Sequence, residues 1–291
     1  MWPCWTPNSP PRWCAGRPRP DPRHRVGRVA RPPILRVVSE PVVAVVVAAG
    51  LGRRFGGTKP KPTLRILGRA VVAVAVEGLA AGGCTDAVVV INGNVSHLFK
   101  AALMGSPIPV ITTPGGDTRQ QSVQRGLDVI REHPRLSKAK VVLVHDAVRP
   151  MMPAYVVENV INAVREGAPA VAPVVPVTDS IRVVPNGEEG ANAPFDRSKL
   201  RAVQTPQGFD LQVLLDSHAK MAAQGLDFTD DVSCCESNGH PVTLVQGSRM
   251  GMKITEPADL TVARALWRVR ASLGHHSGKR FWRQRRKELP Q

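Results

Sequence analysis

Aromatic residues are scarce: Phe, Trp and Tyr make up 4% of the 291 residues, with a single tyrosine. A core built from this chain must therefore rest on Val, Ala, Leu and Ile, and a hydrophobic content of 43% is enough for a substantial one. That composition suits strands buried on both faces, as in a parallel sheet. Cysteine is also sparse. The five, Cys4, Cys14, Cys84, Cys234 and Cys235, are odd in number and show no metal-ligand spacing. Adjacent Cys234 and Cys235 are poorly placed to pair, so the pattern speaks against a disulfide framework and for reduced thiols in a cytosolic setting. No apolar run approaches the ~20 residues of a membrane span. The N-terminus has no apolar h-region, which excludes a secretory signal. The expected location is the cytoplasm, with no membrane partner.

What the chain has in excess is positive charge, +16 in all. Its distribution matters more than its sum. Residues 1–40 carry eight Arg against Asp21 and Glu40, and residues 268–291 carry eight Lys or Arg against Glu288. The 227 residues between them hold 23 basic and 20 acidic side chains, a net of +3. The body is thus mildly basic, enough for a phosphate-rich substrate but too little to coat a nucleic-acid surface, and no specific nucleic-acid partner is expected. A nucleic-acid-binding protein acting through its tails is the alternative of a different class, and it predicts salt-sensitive binding.

Residues 1–40 are rich in Pro and Arg, as in Arg17-Pro18-Arg19-Pro20. Proline at this density forbids regular helix and sheet, so a disordered extension is expected. A mis-assigned start codon gives the same text. A transit peptide, which would imply a plastid, is a poorer match because the segment is short of serine and heavy in proline. Residues 41–272 read as the folded domain and 273–291 as a basic tail.

Within the domain, strand and helix signals alternate. Strands are expected at 42–48, 87–91, 109–111, 141–144 and 170–175, and helices at 71–81, 119–132 and 156–164. Asp117 with Gln120 three residues on reads as a capping box for the 119–132 helix. This βαβα order predicts an α/β, doubly wound, mostly parallel sheet with right-handed connections. Residues 176–204 interrupt it with Pro, Asn, Gly and Glu between two β-like stretches, 180–184 and 199–203. A protruding β-hairpin fits best. Helices near 211–223 and 230–236, a strand at 242–245, and a last helix with Pro257 in its first turn complete the reading.

Four clusters can carry chemistry. The first strand runs into Ala48-Ala49-Gly50-Leu51-Gly52-Arg53-Arg54-Phe55-Gly56-Gly57, with Lys59 and Lys61 close behind. Glycine amides at a strand's carboxyl end approach phosphate oxygens without Cβ interference. The spacing fits neither a Walker A loop, since Thr58 follows Gly57, nor the dinucleotide fingerprint, since Phe55 occupies its third glycine position. A flexible basic loop is the bland alternative. The second cluster is Gly115-Gly116-Asp117-Thr118-Arg119-Gln120-Gln121-Ser122. Arg119 and Ser122 share a helix face near an N-terminus that favours anions or carbonyl groups, against the alternative of an ordinary capped helix. The third is His145-Asp146-Ala147-Val148-Arg149-Pro150. Asp146 ends a buried strand, a place that commonly serves a metal–phosphate site, while His145 reads as structural and Asp146 with Arg149 could be a simple ion pair. In the fourth, Lys253 lies between apolar residues in Met252-Lys253-Ile254-Thr255, so it either snorkels or points into a site.

Taken in order, these clusters resemble the 2-C-methyl-D-erythritol 4-phosphate cytidylyltransferase family, from about residue 42 to residue 268. The matching text is Ala48-Ala49-Gly50-Leu51-Gly52-Arg53-Arg54, Pro60-Lys61, Gly116-Asp117-Thr118-Arg119 with Ser122, His145-Asp146-Ala147-Val148-Arg149-Pro150, Thr205-Pro206-Gln207, Thr229-Asp230 and Lys253-Ile254-Thr255. The resemblance implies a Rossmann-like nucleotidyltransferase fold whose hairpin is a dimerisation arm. It implies transfer of CMP from CTP to 2-C-methyl-D-erythritol 4-phosphate in isoprenoid precursor synthesis, with Mg²⁺ as cofactor and Asp146 its indirect holder. Gly50, Gly52, Arg54 and Lys61 would take the triphosphate. Ala48, Ala49, Gly116, Asp117, Arg119, Ser122, Asp146 and Ala147 would bind the nucleotide. Asp146, Arg149, Ser180, Arg197, Thr205, Thr229 and Lys253 would line the acceptor pocket, Arg197 reaching into the partner subunit. Arg54, Lys61 and Lys253 would be catalytic. Ser180 replaces the family's usual Thr and keeps its hydroxyl, and Pro62-Thr63 departs from the residues that more often follow the lysine. A cytidylyltransferase acting on ribitol 5-phosphate is the nearest rival.

Overall fold

The computed structural model describes residues 40–50, 60–184 and 192–276. The expectations for residues 1–39, for Gly52 and Arg54, and for residues 277–291 lie outside the described residues.

The Val-rich first segment forms β1 (Val42–Val47). A short hairpin, β2 (Arg65–Ile66) and β3 (Arg69–Ala70), leads into α1 (Val71–Ala81). Then come β4 (Asp86–Ile91), α2 (Ser96–Leu103), β5 (Val110–Pro114), α3 (Arg119–Glu132), β6 (Val141–Asp146), α4 (Ala154–Arg165) and β7 (Ala170–Pro176). The arm follows as β8 (Ile181–Val183) and β9 (Ala193–Phe195). The chain ends with β10 (Arg201–Val203), β11 (Gln207–Asp210), α5 (Leu211–Gln224), α6 (Asp231–Ser237), β12 (Val242–Gln246) and α7 (Pro257–His276).

Eight strands make one sheet in the order β10-β7-β11-β6-β1-β4-β5, with β12 on β7. The strands β6, β1, β4 and β5 are parallel, β12 runs parallel to β7, and β10 and β11 are antiparallel to their neighbours. Strand alternation sends Val42, Ala44 and Val46 to a core under α1, α2 and α4. Val43 and Val45 face the opposite core under α3, α5 and α6. Helices on both faces make the sheet doubly wound, as its all-apolar strands predict. A third cluster joins Ile66, Val71 and Met151 to Ile254, Leu260 and Ala263, and so docks α7. No helix among the described residues is long and apolar enough to cross a membrane.

Two expectations need correcting, and two features were not foreseen. The third strand is longer than 109–111 and runs from Val110 to Pro114, because its polar Thr112 and Thr113 pair with Val89 and Val90 of β4. The two arms of the expected hairpin do not pair with each other. Residues 181–183 pair with 193–195, whereas Arg201–Val203 pairs with Val174–Pro176 of β7 in the main sheet. Gln207–Asp210 is a strand that carries no alternating apolar signal, yet it is wedged between β6 and β7. The last helix, for which the sequence set only a start, runs to His276.

Gly126 sets how closely α3 lies on the sheet. A Cβ there would come within 2.6 Å of Val45 Cγ1, a stiff β-branched side chain in the core, so only glycine permits this approach. The amino end of α3 is thereby brought over the carboxyl ends of β1 and β4, where open α/β sheets bind their ligands.

Candidate active site

Three loops leave the carboxyl ends of parallel strands at this edge: residues 48–50 after β1, 115–118 after β5, and 147–150 after β6. The first two face each other across a cleft of about 910 Å³, which Lys61, Asn92, Asp117, Arg119 and Ser122 also line. The walls are locked locally. Ala48 donates its amide to Val90 O at 2.7 Å. A Cβ on Gly115 would fall 2.4 Å from Ala49 Cβ, so glycine lets the two loops close up. Ser122 is buried, and its hydroxyl accepts from the Gly116 amide (3.2 Å) while donating to Thr118 O (2.9 Å). The α3 cap is displaced by one residue from the expected one. Thr118 is the N-cap and accepts from the Gln121 amide, while Gln121 Oε1 accepts from the Asp117 amide. Asp117 is exposed and lines the cleft.

The second half of the site is centred on Asp146, whose side chain is 11% exposed. Lys253 Nζ lies 2.9 Å from one carboxylate oxygen, Arg149 Nε 3.6 Å from the same one, and Arg119 Nε 3.8 Å from the other. Burial alone would raise the Asp146 pKa, but Lys253, Arg119 and Arg149 together hold it below the usual carboxylate range. Asp146 is therefore ionised at neutral pH. Arg149 is fixed from behind by Gly251 O at 3.0 Å. Lys61 Nζ donates to Ile254 O (3.2 Å) and Thr255 O (2.8 Å), the two carbonyls that follow Lys253. The Lys253 to Thr255 segment thus joins the two lysines. Arg119 belongs to both the cleft and the carboxylate cluster.

The other expected residues occupy different places. Ala147 is buried in the core and its amide donates to Val47 O at 3.1 Å. Thr205 is buried, with its hydroxyl accepting from the Asp146 amide (3.0 Å) and bonded to His145 Nδ1 (3.1 Å), so it holds the end of β6. Thr229 is exposed directly before Asp230, the N-cap of α6. Ser180 and Arg197 lie on the exposed arm, and Arg197 donates to Thr178 O of its own chain. Ile181, Val183 and Phe195 give the arm an apolar character, with Val183 and Phe195 each 43% exposed.

Sequence reasoning missed three residues behind the site. Asp231 is buried and pairs with Arg119 Nη2 at 2.7 Å. His218 Nε2 lies 3.1 Å from its other oxygen. Gln207 Oε1 accepts from the amides of Asp231 and Val232, and its Nε2 donates to Asp230 at 3.0 Å. The acidic pair Asp230-Asp231 beside Thr229 was the available signal. Asp230 is the N-cap of α6, and the buried Asp231 beside it is the residue that reaches Arg119.

His145 is structural, as expected. Burial pushes its pKa down to about 4 from an ordinary 6.5. The unfolded chain then binds more protons than the folded one between these values, so stability falls as pH drops through that window. The loss attributable to His145 is about 3 kcal/mol when the window has been crossed. Urea unfolding of the wild type between pH 7 and pH 5 should show this slope, and His145→Gln should remove about one proton's worth of it. Coincident slopes in the two proteins would contradict the assignment. Among the described residues the three thiols are buried and protonated at neutral pH. Cys84 and Cys235 are each pushed up to about 12 and Cys234 to about 11, chiefly by burial.

Among the described residues no group of three or more His, Cys, Asp or Glu gathers to hold a metal ion. A dedicated protein cage is therefore not offered there. Mg²⁺ is commonly held through one or two carboxylates together with substrate phosphates, and Asp146 is a carboxylate of that kind.

Comparison with known proteins bears on this geometry. The family described as 2-C-methyl-D-erythritol 4-phosphate cytidylyltransferase matches residues 42–269. A protein of that name from Streptomyces coelicolor is 40% identical over 233 residues, 77% of this chain and 83% of that one. One from Rhodococcus jostii is 41% identical over 226 residues, covering 78% of this chain and 95% of the other. The crystal structure of the Thermus thermophilus protein of that name superposes with a TM-score of 0.63 at 31% identity, covering 78% of this chain and 99% of that one.

Proposed function

Since the chain belongs to the 2-C-methyl-D-erythritol 4-phosphate cytidylyltransferase family, we propose that its cleft and Asp146 cluster carry out transfer of CMP from CTP to 2-C-methyl-D-erythritol 4-phosphate, with release of pyrophosphate. The observation that carries this reading is that one side chain, Arg119, belongs both to the cleft and to the carboxylate–lysine cluster. A nucleotide lying in the cleft then has its α-phosphate next to the acceptor.

The base sits between Ala48, Ala49 and the 116–122 segment, read by backbone groups, Asp117 and the α3 amino end. The triphosphate is held by Gly50 and Lys61 and, as the family resemblance implies, by Gly52 and Arg54; Ala147, its amide taken by Val47 O, contributes only by seating Asp146. The acceptor lies against Arg149, Thr229 and Lys253, its phosphate reached by Ser180 and Arg197 of an arm. An arm with exposed Val183 and Phe195 suits burial against a second copy, so the working unit is a homodimer. Thr205 serves this pocket indirectly by fixing the Asp146 amide.

An oxygen of the acceptor phosphate forms a bond to the α-phosphorus of CTP as the bond to the bridging α–β oxygen breaks in line and pyrophosphate leaves. The attacking phosphate is already ionised near neutral pH, so no general base is needed. Charge grows on the non-bridging oxygens, and fixed cations stabilise it without reorganising. Asp146, with substrate phosphates, would hold Mg²⁺, which supplies further charge neutralisation when bound.

The test is a pyrophosphate-release assay crossing the four nucleoside triphosphates with methylerythritol, ribitol and ribulose phosphates. Turnover is expected with CTP and methylerythritol phosphate. A preference for ribitol phosphate, or for another base, would overturn the assignment of acceptor or nucleotide.

A further inference from the structure

We propose that Asp231 is a positioning residue that holds Arg119 in the nucleotide cleft and away from Asp146. This rests on the reading of the cleft given above and adds to it a residue with no substrate contact. Arg119 reaches from a 27% exposed position at the cleft down to Asp231, whose side chain is 2% exposed. The two distances decide the matter: Arg119 is 2.7 Å from Asp231 and 3.8 Å from Asp146. The buried acid therefore takes the direct charge-assisted hydrogen bond, and the site carboxylate keeps only a longer-range attraction. Asp146 is left to Lys253, at 2.9 Å.

The buried carboxylate is itself over-determined. His218, 1% exposed, bonds its second oxygen, and a carboxylate that only accepts requires the proton on Nε2. Gln207 fixes the backbone of Asp231 through one carboxamide oxygen and ties down the Asp230 cap with its nitrogen. Burial would raise the Asp231 pKa, but Arg119 and His218 hold it below the usual range, so it stays charged at neutral pH. Without that charge, the acid left in ion-pair contact among the described residues is Asp146, at 3.8 Å, while Asp230 exerts only a longer-range pull, so the planar guanidinium would move onto Asp146. Arg119 would then leave the cleft and compete with Lys253.

The experiment is a thermodynamic cycle on CTP binding by calorimetry, using the full chain. Wild type, Arg119→Ala, Asp231→Asn and the double variant are compared, with KM for CTP and for the acceptor measured in parallel. Asp231→Asn should weaken CTP binding about tenfold and raise the acceptor KM by a smaller factor, through the disturbed Lys253–Asp146 pair. In the Arg119→Ala background the same change should have little further effect, because Asp231 acts through Arg119. Independent, additive losses would overturn the proposal, as would a lower melting temperature with unchanged CTP affinity, the signature of a purely structural pair. If Asp231→Asn does not fold, Arg119→Lys decides. A lysine keeps the charge but cannot reach both acids with a planar fork, so CTP affinity should fall nearly as far as in Arg119→Ala. Wild-type affinity in Arg119→Lys would overturn the proposal. A wild type that binds no CTP would instead remove the reading of the cleft, and this inference with it.

Discussion

Lys61→Ala should lower turnover on the order of 10²-fold or more while the protein stays folded. The expectation follows from where the ammonium sits. It lines the cleft and is oriented by the carbonyls of Ile254 and Thr255. Those carbonyls belong to the segment that presents Lys253 to Asp146. Losing Lys61 therefore removes a fixed cation from the proposed triphosphate path and also slackens the segment that carries the second lysine. Lys61→Arg, which keeps the charge with altered geometry, should recover part of the rate. Steady-state pyrophosphate release at saturating substrates reads the effect, alongside Arg54→Ala. If both alanine variants ran within a few-fold of wild type, the cations would have no place in the chemistry.

Asp146→Asn should have a comparable effect on rate, on the order of 10²-fold or more, and a different signature. The side chain faces three cations, and an amide of the same shape leaves all three without their common counter-charge. Breaking a mostly buried ion pair from one side costs about 3 kcal/mol of stability, read by urea unfolding. The local field becomes more positive, so CTP without Mg²⁺ should bind at least as well as to wild type. Added Mg²⁺ should then give little further gain in binding or rate, whereas it should raise both in wild type. A variant that keeps its full Mg²⁺ response would show that Asp146 does not hold the metal with the phosphates. The pH dependence points the same way. Because the Asp146 pKa is held low in the folded protein, its contribution to stability is present above the ordinary carboxylate range and is lost as pH falls through its folded value.

Much of the site was legible because its residues are local in the chain. Ala48 to Gly50 after β1 and the run from Gly115 to Ser122 line opposite walls of the cleft. His145 and Asp146 likewise end β6, and the turn to Arg149 follows directly. The boundaries of α1 and α3 could be read directly, since their periodic apolar positions and flanking glycine or threonine act over a few residues. The α3 cap was off by one residue because Asp117 and Thr118 are both good caps, and the choice depends on where the loop enters. Strand β11 escaped notice because its four residues, with Gly208 among them, carry no pattern. Their pairing is decided by the open edges of β6 and β7.

Composition and periodicity by themselves determined the layered α/β architecture, because burial of a Val-rich strand on both faces and of one helix face is a local property of side-chain order. They also singled out the segments proposed to hold phosphate, because that proposal needs only glycine amides and nearby cations. Only the tertiary structure decided who neutralises whom. Arg119 and Asp231 are 112 positions apart in the chain, and Lys61 lies 193 and 194 positions from the carbonyls that orient it. Electrostatic interaction depends on distance through space and on burial, and neither quantity is encoded in spacing along the chain.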